Sequence, residues 1–507
     1  MQLSFTDVLN GLGGAFLKFL DWKMLAILFG STLLGTVVGA LPGLTATMAV
    51  SLLVGLTFNL PTDVALLVLM AVYVSAIYGG SQAGVLINVP GTPSAAATAL
   101  DGHPLAKRGQ AGLAIGVATV SSFLGTLFGA MVVLAVTPVL SAVALKFGAP
   151  EFFLLAVFGI LISGNLTADH PLKGWIIGFV GLFISSIGLE EINGFPRFAY
   201  GSVELAGGIS LIPAMVGLFG LGEVLTVLGD PKKHQVVGRV GRVWPPLKLT
   251  GQYLPVTLRS GMIGVLIGAI PGVGEDVAAW VSYDVAKRTS RHRDEFGKGC
   301  LEGVVAAETA NNACIGGALV PLLSLAIPGS AVAAVVLGAI WLHGVRPGPL
   351  LFFEFPTFFL EMVAMLVMSA FAMLFVGIGV ANLSVRLLQV SKGVLMPVVA
   401  ALCVIGAYAV NVRFFDIYVM VVFGVIGYLM RRHGYPVAPM TLGIILGPMA
   451  DANLRRALII SNGSLLPFVT RPISLILLGI IAAMVLINVR RWAHRGAGVQ
   501  ELSGSTT

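Results

Sequence analysis

Two apolar stretches of this chain are each broken by a Pro-Gly pair, and the two breaks match one another. The first stretch, Tyr78 to Gln110, carries Gly79-Gly80, Ser81, Gln82 and Asn88, then Pro90-Gly91-Thr92-Pro93-Ser94. The second, Glu308 to Val345, carries Pro328-Gly329-Ser330. Upstream of each lies a further match, Gly39-Ala40-Leu41-Pro42-Gly43-Leu44 against Gly268-Ala269-Ile270-Pro271-Gly272-Val273. Proline and glycine interrupt helices and free backbone N–H and C=O groups, which are costly to leave unpaired away from water. At membrane depth such backbone is tolerated only where protein packs on it or where it lines a wet cavity. The same order of breaks in two halves predicts a binding site built from paired, interrupted helices.

The membrane setting follows from composition: 57% of the 507 residues are hydrophobic and 10% are charged. A soluble domain carries roughly 25% charged residues, which excludes a globular cytoplasmic fold. The predicted fold class is an all-α polytopic membrane protein of two repeated halves, with interrupted helices and re-entrant hairpins at the Pro-Gly breaks. The net charge of +7 requires no nucleic acid, because Lys and Arg gather in connections between apolar segments, as in cytoplasmic loops of membrane proteins. Cys300, Cys314 and Cys403 are scattered, so neither a disulfide framework nor a CxxC metal site is expected. The histidines show no HxxxH spacing, which argues against a transition-metal site.

Roughly 20 apolar residues cross the hydrocarbon. Candidate spans are 24–41, 44–60, 63–79, 111–146, 151–168, 173–189 and 208–228, then 256–270, 301–326, 351–385 (one span or two), 394–410, 415–430, 437–450 and 473–489. Segments 80–100, 272–287 and 328–343 are too interrupted or polar for full crossings and are expected to include re-entrant ones. Residues 1–23 read as an interfacial helix and not a removed signal peptide. The first half is 24–229, a basic cytoplasmic connection covers 230–255, the second half and C-terminal spans cover 256–489, and 490–507 is a cytoplasmic tail. Basic loops face the cytoplasm, which places the connection Glu190–Glu204 and the turn Asn411–Asp416 outside. The charge placement favours parallel repeats, whereas broken midplane helices are typical of inverted ones. The inverted arrangement is the one expected here.

Three polar constellations carry candidate chemistry. Glu308, Asn311 and Asn312, beside Thr309, offer the oxygen ligands that hard cations take. The plainer use of such residues is hydrogen bonding between helices. Glu275 and Asp276 suit a cation or a proton, or simply cap a helix start. The substrate candidates are Pro42, Gly43, Thr45, Thr47, Ser81, Asn88, Pro90, Gly91, Thr92 and Ser94 in the first half. In the second they are Pro271, Gly272, Gly274, Pro328, Gly329 and Ser330. Helix starts present free N–H groups to anions, and hydroxyl and amide side chains add neutral donors, so a carboxylate could be held there. The plainer alternative is that small residues let helices approach, which suits the Ala95–Ala97 run. Asp101, His103, Lys107 and Arg108 read as a cytoplasmic loop.

Together these motifs resemble the large membrane subunit of the tripartite tricarboxylate transporters, the TctA type. The carrying residues are Gly39 to Leu44, Tyr78-Gly79-Gly80-Ser81 through Asn88-Val89-Pro90-Gly91-Thr92-Pro93, and Asp101-Gly102-His103-Pro104. They continue with Pro271 to Gly274, Phe296 to Gly299, Glu302-Gly303-Val304, Glu308 to Asn312 and Ile327 to Ser330. Ala307 stands where the pattern has proline. The resemblance implies a secondary transporter of the bacterial inner membrane. It would work with a small TctB-type membrane subunit and a periplasmic TctC-type binding protein. It also implies a citrate-like or related carboxylate substrate driven by a cation gradient, with Na⁺ or H⁺ as coupling ion and no further cofactor.

The alternatives are a channel or a membrane-embedded enzyme. A channel calls for charged rings or a repeated filter motif, and the sequence displays neither. An enzyme needs convergent catalytic groups on different segments. The nearest approach, Glu275-Asp276 with Tyr283-Asp284, lies on one short segment, so no catalytic residue is expected. No GxxxxGK[ST] motif is present to suggest ATP hydrolysis.

Overall fold

The computed structural model describes residues 5–41, 43–167, 171–190, 192–228, 240–241, 243–245, 247–387 and 392–504. Pro42, and all but the last ten or so residues of the basic connection 230–255, fall largely outside them. In chain order the helices are α1 (Phe5–Phe19), α2 (Trp22–Ala40), α3 (Ala46–Thr57), α4 (Thr62–Ile87) and α5 (Ala95–Lys107). Next come α6 (Ala111–Ala144), α7 (Ala149–Thr167) and α8 (Pro171–Ser185), followed by a two-residue antiparallel pair, β1 (Gly188–Leu189) and β2 (Pro196–Arg197). Helix α9 (Leu211–Leu228) contains a π-helical turn at Val216–Leu221.

The second half follows with α10 (Leu254–Gly268), α11 (Gly274–Thr289), α12 (Leu301–Leu325) and α13 (Ala331–Leu342). Then come α14 (Pro356–Leu387), α15 (Lys392–Asn411), α16 (Phe414–Arg432), α17 (Ala438–Ile460) and α18 (Pro472–Gly504). Seven of the described helices, α2, α4, α6, α9, α14, α15 and α16, are long and apolar enough to cross a membrane. The chain forms two compact units, one of residues 1–144 with 209–437 and the other of 145–208 with 438–507. Neither unit coincides with a sequence half.

Several segment boundaries differ from the sequence expectation, each for a local reason. Gly79-Gly80 does not open the first break, because α4 continues through it to Ile87. Glycine without proline keeps its helical hydrogen bonds, and here it lets other backbones approach. A Cβ on Gly79 would lie 2.5 Å from the Thr36 carbonyl oxygen. The stretch 351–385 forms one long helix, α14, preceded by a single turn at Leu351–Glu354. Helix α3 has 12 residues, which at about 1.5 Å each is too short to span the hydrocarbon. Asp101, His103 and Lys107 are not loop residues: they belong to α5, and Asp101 and His103 are buried.

In the larger unit α6 and α12 pack along their lengths, α2 lies on α4, and α10 and α11 lie on α12. The order α2–α3–α4–break–α5 recurs as α10–α11–α12–break–α13. Each long member ends in a left-handed residue, Asn88 at φ 55° and Ala326 at φ 57°. For alanine that conformation costs about 1–2 kcal/mol. Each break then presses its glycine onto a carbonyl of its own half. A Cβ on Gly91 would stand 1.9 Å from the Gly39 oxygen, and one on Gly329 would stand 1.9 Å from the Gly268 oxygen. No side chain but hydrogen fits either place.

Candidate functional site

The breaks of the two halves are linked by buried polar contacts. Tyr73, fully buried in α4, donates its hydroxyl to the Glu275 carboxylate at the start of α11 and shares a 2.9 Å hydrogen bond with Ser330, just past the second break. Ser330 also caps α13, accepting from the Ala333 N–H at 3.1 Å. From the first break, the Ser94 backbone N–H faces Asp276, which is partly buried beside Glu275. Thr92 and Ser94 share a hydrogen bond of 3.1 Å. Pro271, Gly272, Gly274, Gly329 and Ser330 are all buried around this point. Gly272 and Gly274 both stand at φ 74°, a conformation that favours glycine.

A second polar centre surrounds Glu308 in α12. Its side chain is fully buried and accepts from three hydroxyls: Ser81 of α4, Thr98 of α5 and Ser122 of α6, the last at 2.8 Å. Asn312, one turn on, donates to the Thr126 hydroxyl of α6 at 3.0 Å. Asn311 turns its side chain toward the Glu308 carboxylate, at a geometry short of a well-formed hydrogen bond. Both polar atoms of Asn311, the Asn312 Oδ1 and the Thr309 Oγ1 are buried without a hydrogen-bond partner. Buried amides are ordinarily paired, and each orphaned one costs about 1–3 kcal/mol.

The sequence-expected residues divide accordingly. Ser81 joins Glu308, Asn311 and Asn312 at one centre, while Ser94 and Ser330 join Glu275 and Asp276 at the other. Thr45 caps α3, accepting from the Met48 N–H at 3.1 Å. Thr47 and Gly43 are partly buried near that helix start, and Asn88 is exposed at the end of α4. Tyr73, Thr98, Ser122 and Thr126 were not expected in the site. Nothing in a run such as Val72-Tyr73-Val74 distinguishes a polar hand from a packed ring.

Asp101 forms a third junction. Its Oδ1 accepts from the backbone N–H groups of Gly297 at 2.8 Å, Gly299 at 2.9 Å and Cys300 at 2.8 Å. Its Oδ2 accepts from the Tyr283 hydroxyl at 2.8 Å. The loop entering α12 is thus wrapped round a carboxylate from α5, with Gly297 and Gly299 at φ 81° and 104° to turn their amides inward.

A family model described as "Tripartite tricarboxylate transporter TctA family" matches residues 24–442. The chain belongs to this family. All three polar junctions lie within the matched residues. A multi-pass membrane component of a tripartite tricarboxylate transporter is therefore the setting in which they act.

Among similar proteins is an "Uncharacterized 52.8 kDa protein in TAR-I ttuC' 3'region" of Agrobacterium vitis, 36% identical over 482 residues, covering 95% of this chain and 96% of that protein. Another is an "Uncharacterized protein in TAR-II ttuC' 3'region" of the same organism, 38% identical over 224 residues, covering 44% of this chain and 93% of that protein. No solved structure matches.

Proposed function

We propose that this TctA-family chain is the large permease subunit of a binding-protein-dependent, cation-coupled secondary transporter that imports tricarboxylate or related carboxylate substrates across the bacterial inner membrane. The observation that carries this reading is that buried polar contacts tie residues beside each Pro-Gly break to the other half, Ser330 to Tyr73 of α4 and Ser94 to Asp276 at the start of α11. Substrate is taken at the breaks, where Thr92, Ser94, Ser330 and the helix starts supply donors. The acidic residues nearby serve the coupling cation. The halves are inverted. This is supported by the Ser81–Glu308 contact, which joins the last third of α4 to the first third of α12, and by the Tyr73–Ser330 contact, which joins the middle of α4 to the residue region just past α12.

Neutral hydrogen bonds contribute about 0.5–1.5 kcal/mol net each, so a site of neutral donors has modest affinity. A TctC-type binding protein delivers substrate by docking on the loops near Glu190–Glu204 and Asn411–Asp416, and a TctB-type small subunit completes the membrane complex. The test is uptake of labelled citrate and other carboxylates into proteoliposomes, with and without both partners. Uptake should require an imposed cation gradient and rise strongly with the partners. Full-rate uptake by the isolated chain, or no carboxylate uptake by the complete complex, would refute this reading.

A further inference from the structure

We infer that the open cavity between the ends of α5 and α11 and the starts of α10 and α12 binds a phosphate-bearing ligand, gripped by Arg108 and Arg291. The cavity measures about 960 Å³, at the upper end of the range for small-molecule sites, about 300–1,000 Å³. It lies beside the basic stretch Lys287 to Lys298, which the charge pattern places on the cytoplasmic face. The site goes beyond the transport reading, and its test requires no transport.

Three observations converge on an anion. Arg108, the cap residue of α5, and Arg291, in the loop after α11, both line the cavity. Neither guanidinium has a hydrogen-bond or ion-pair partner among the described residues. The two carboxylates on the lining are engaged elsewhere: Glu302 accepts from the Ser290 hydroxyl at 2.6 Å, and Glu295 lies 3.4 Å from His292. Second, Arg259 of α10 stands at the rim and donates from Nη1 to Thr289 at 2.5 Å. Its Nε and Nη2 are buried without a hydrogen-bond partner, and the Glu302 carboxylate is 3.9 Å away. Buried donors left unmade are costly, and an anionic oxygen would satisfy them. Third, α12 opens onto the cavity at Leu301 and Glu302, so the positive end of a 25-residue helix points there.

The directions of approach favour phosphate over carboxylate. Arg108, Arg259 and Arg291 come from three different elements. A single guanidinium satisfies the two coplanar oxygens of a carboxylate, whereas the tetrahedral oxygens of a phosphate can be shared by donors from several sides. The cavity is also larger than one phosphate group, and Leu105, Tyr253 and Val256 give it an apolar wall. The phosphate therefore belongs to a larger molecule. A soluble phosphate ester and the headgroup of an anionic phospholipid share this chemistry. An occupant would tie the end of α5 to the loop before α12, and so brace the junction that Asp101 makes with Gly297, Gly299 and Cys300.

The test uses the purified full chain in dodecyl maltoside, a phosphate-free detergent, with inorganic pyrophosphate against chloride at constant ionic strength. Thermal unfolding and hydrogen–deuterium exchange at 289–302 are the readouts. In the wild type, pyrophosphate should raise the melting temperature saturably and slow exchange in that segment. Arg108→Ala and Arg291→Ala should each raise the half-saturating concentration roughly tenfold, and the double variant should lose the response. Because neither guanidinium has a partner among the described residues, these variants should melt like the wild type in chloride. Phosphate-type salts also stabilise proteins by exclusion from their surface, so a charge-loss control is needed. Lys298→Ala, exposed on the same loop and outside the cavity lining, should respond as the wild type does. A response to added phosphatidylglycerol in place of pyrophosphate, lost in the double variant, upholds the site and assigns the headgroup as its source. No response to either probe, or a response that the double variant keeps, overturns the site. Citrate that slows exchange at 289–302 as well as pyrophosphate does, with the effect lost in the double variant, would overturn the phosphate assignment.

Discussion

Replacing Asp101 should unfasten the loop that enters α12, with graded severity. In Asp101→Ala the N–H groups of Gly297, Gly299 and Cys300 lose their shared anionic acceptor, and Tyr283 loses its own. A hydrogen bond to a charged group is worth about 1.5–3 kcal/mol. Because three of these share one oxygen, they do not add independently, and a total of about 3 kcal/mol is expected. At about 1.4 kcal/mol per tenfold, that is roughly a hundredfold faster exchange of the amides at 297–300. Asp101→Asn keeps a carbonyl oxygen for the amides and loses only the charge, so exchange there should be roughly tenfold faster than in the wild type. Hydrogen–deuterium exchange on the purified chain reads this directly.

A second readout is Cys300, which is buried and whose thiol is held above its usual range by that burial. It should become reactive toward a maleimide in Asp101→Ala, while Cys314 and Cys403, buried elsewhere, stay protected. Unchanged exchange at 297–300 in Asp101→Ala would show that the carboxylate does not hold the loop.

Two further outcomes follow from the packing. Gly329→Ala or Gly91→Ala forces a methyl to within 1.9 Å of a carbonyl oxygen, so each should lose about 1–3 kcal/mol of stability. This would be seen as a lower melting temperature, whereas the same change at exposed Gly479, which has open space around it, should be neutral. In the smaller unit, Asp451 accepts from Arg197 at 3.1 and 2.8 Å and from Arg455 at 3.2 Å. Burial works against ionisation there, but the two arginines outweigh it and hold the Asp451 carboxyl below the ordinary carboxylate value. Its folded-state value is depressed, so its stabilisation is present above the unfolded value of about 3.9 and is lost as pH falls toward the folded one. Asp451→Asn should lower the melting temperature at pH 7 and leave it little changed well below pH 3.

The membrane class and the positions of the breaks were legible in the sequence, because both depend on local chemistry. Apolar runs must find hydrocarbon or protein, and Pro90-Gly91 and Pro328-Gly329 interrupt a helix wherever they stand. Glu308, Asn311 and Asn312 were recognisable for a similar reason, since polar groups in an apolar helix demand a partner. The partners themselves were decided only by tertiary structure. Ser122 lies 186 positions from Glu308, and Tyr73 lies 202 from Glu275 and 257 from Ser330. Neither residue differs locally from one that fills a helix interface. The same holds for Asp101: its short sequence context suggests a loop, but the loop it organises is 297–300, nearly two hundred residues away. Gly79-Gly80 shows the converse, since glycines read as a break became a close-packed helix face once Thr36 and Thr92 were set against them. Backbone rules act over a few residues, whereas a hydrogen bond needs two groups brought within about 3 Å, and only the packing of α4, α5, α6 and α12 brings these together.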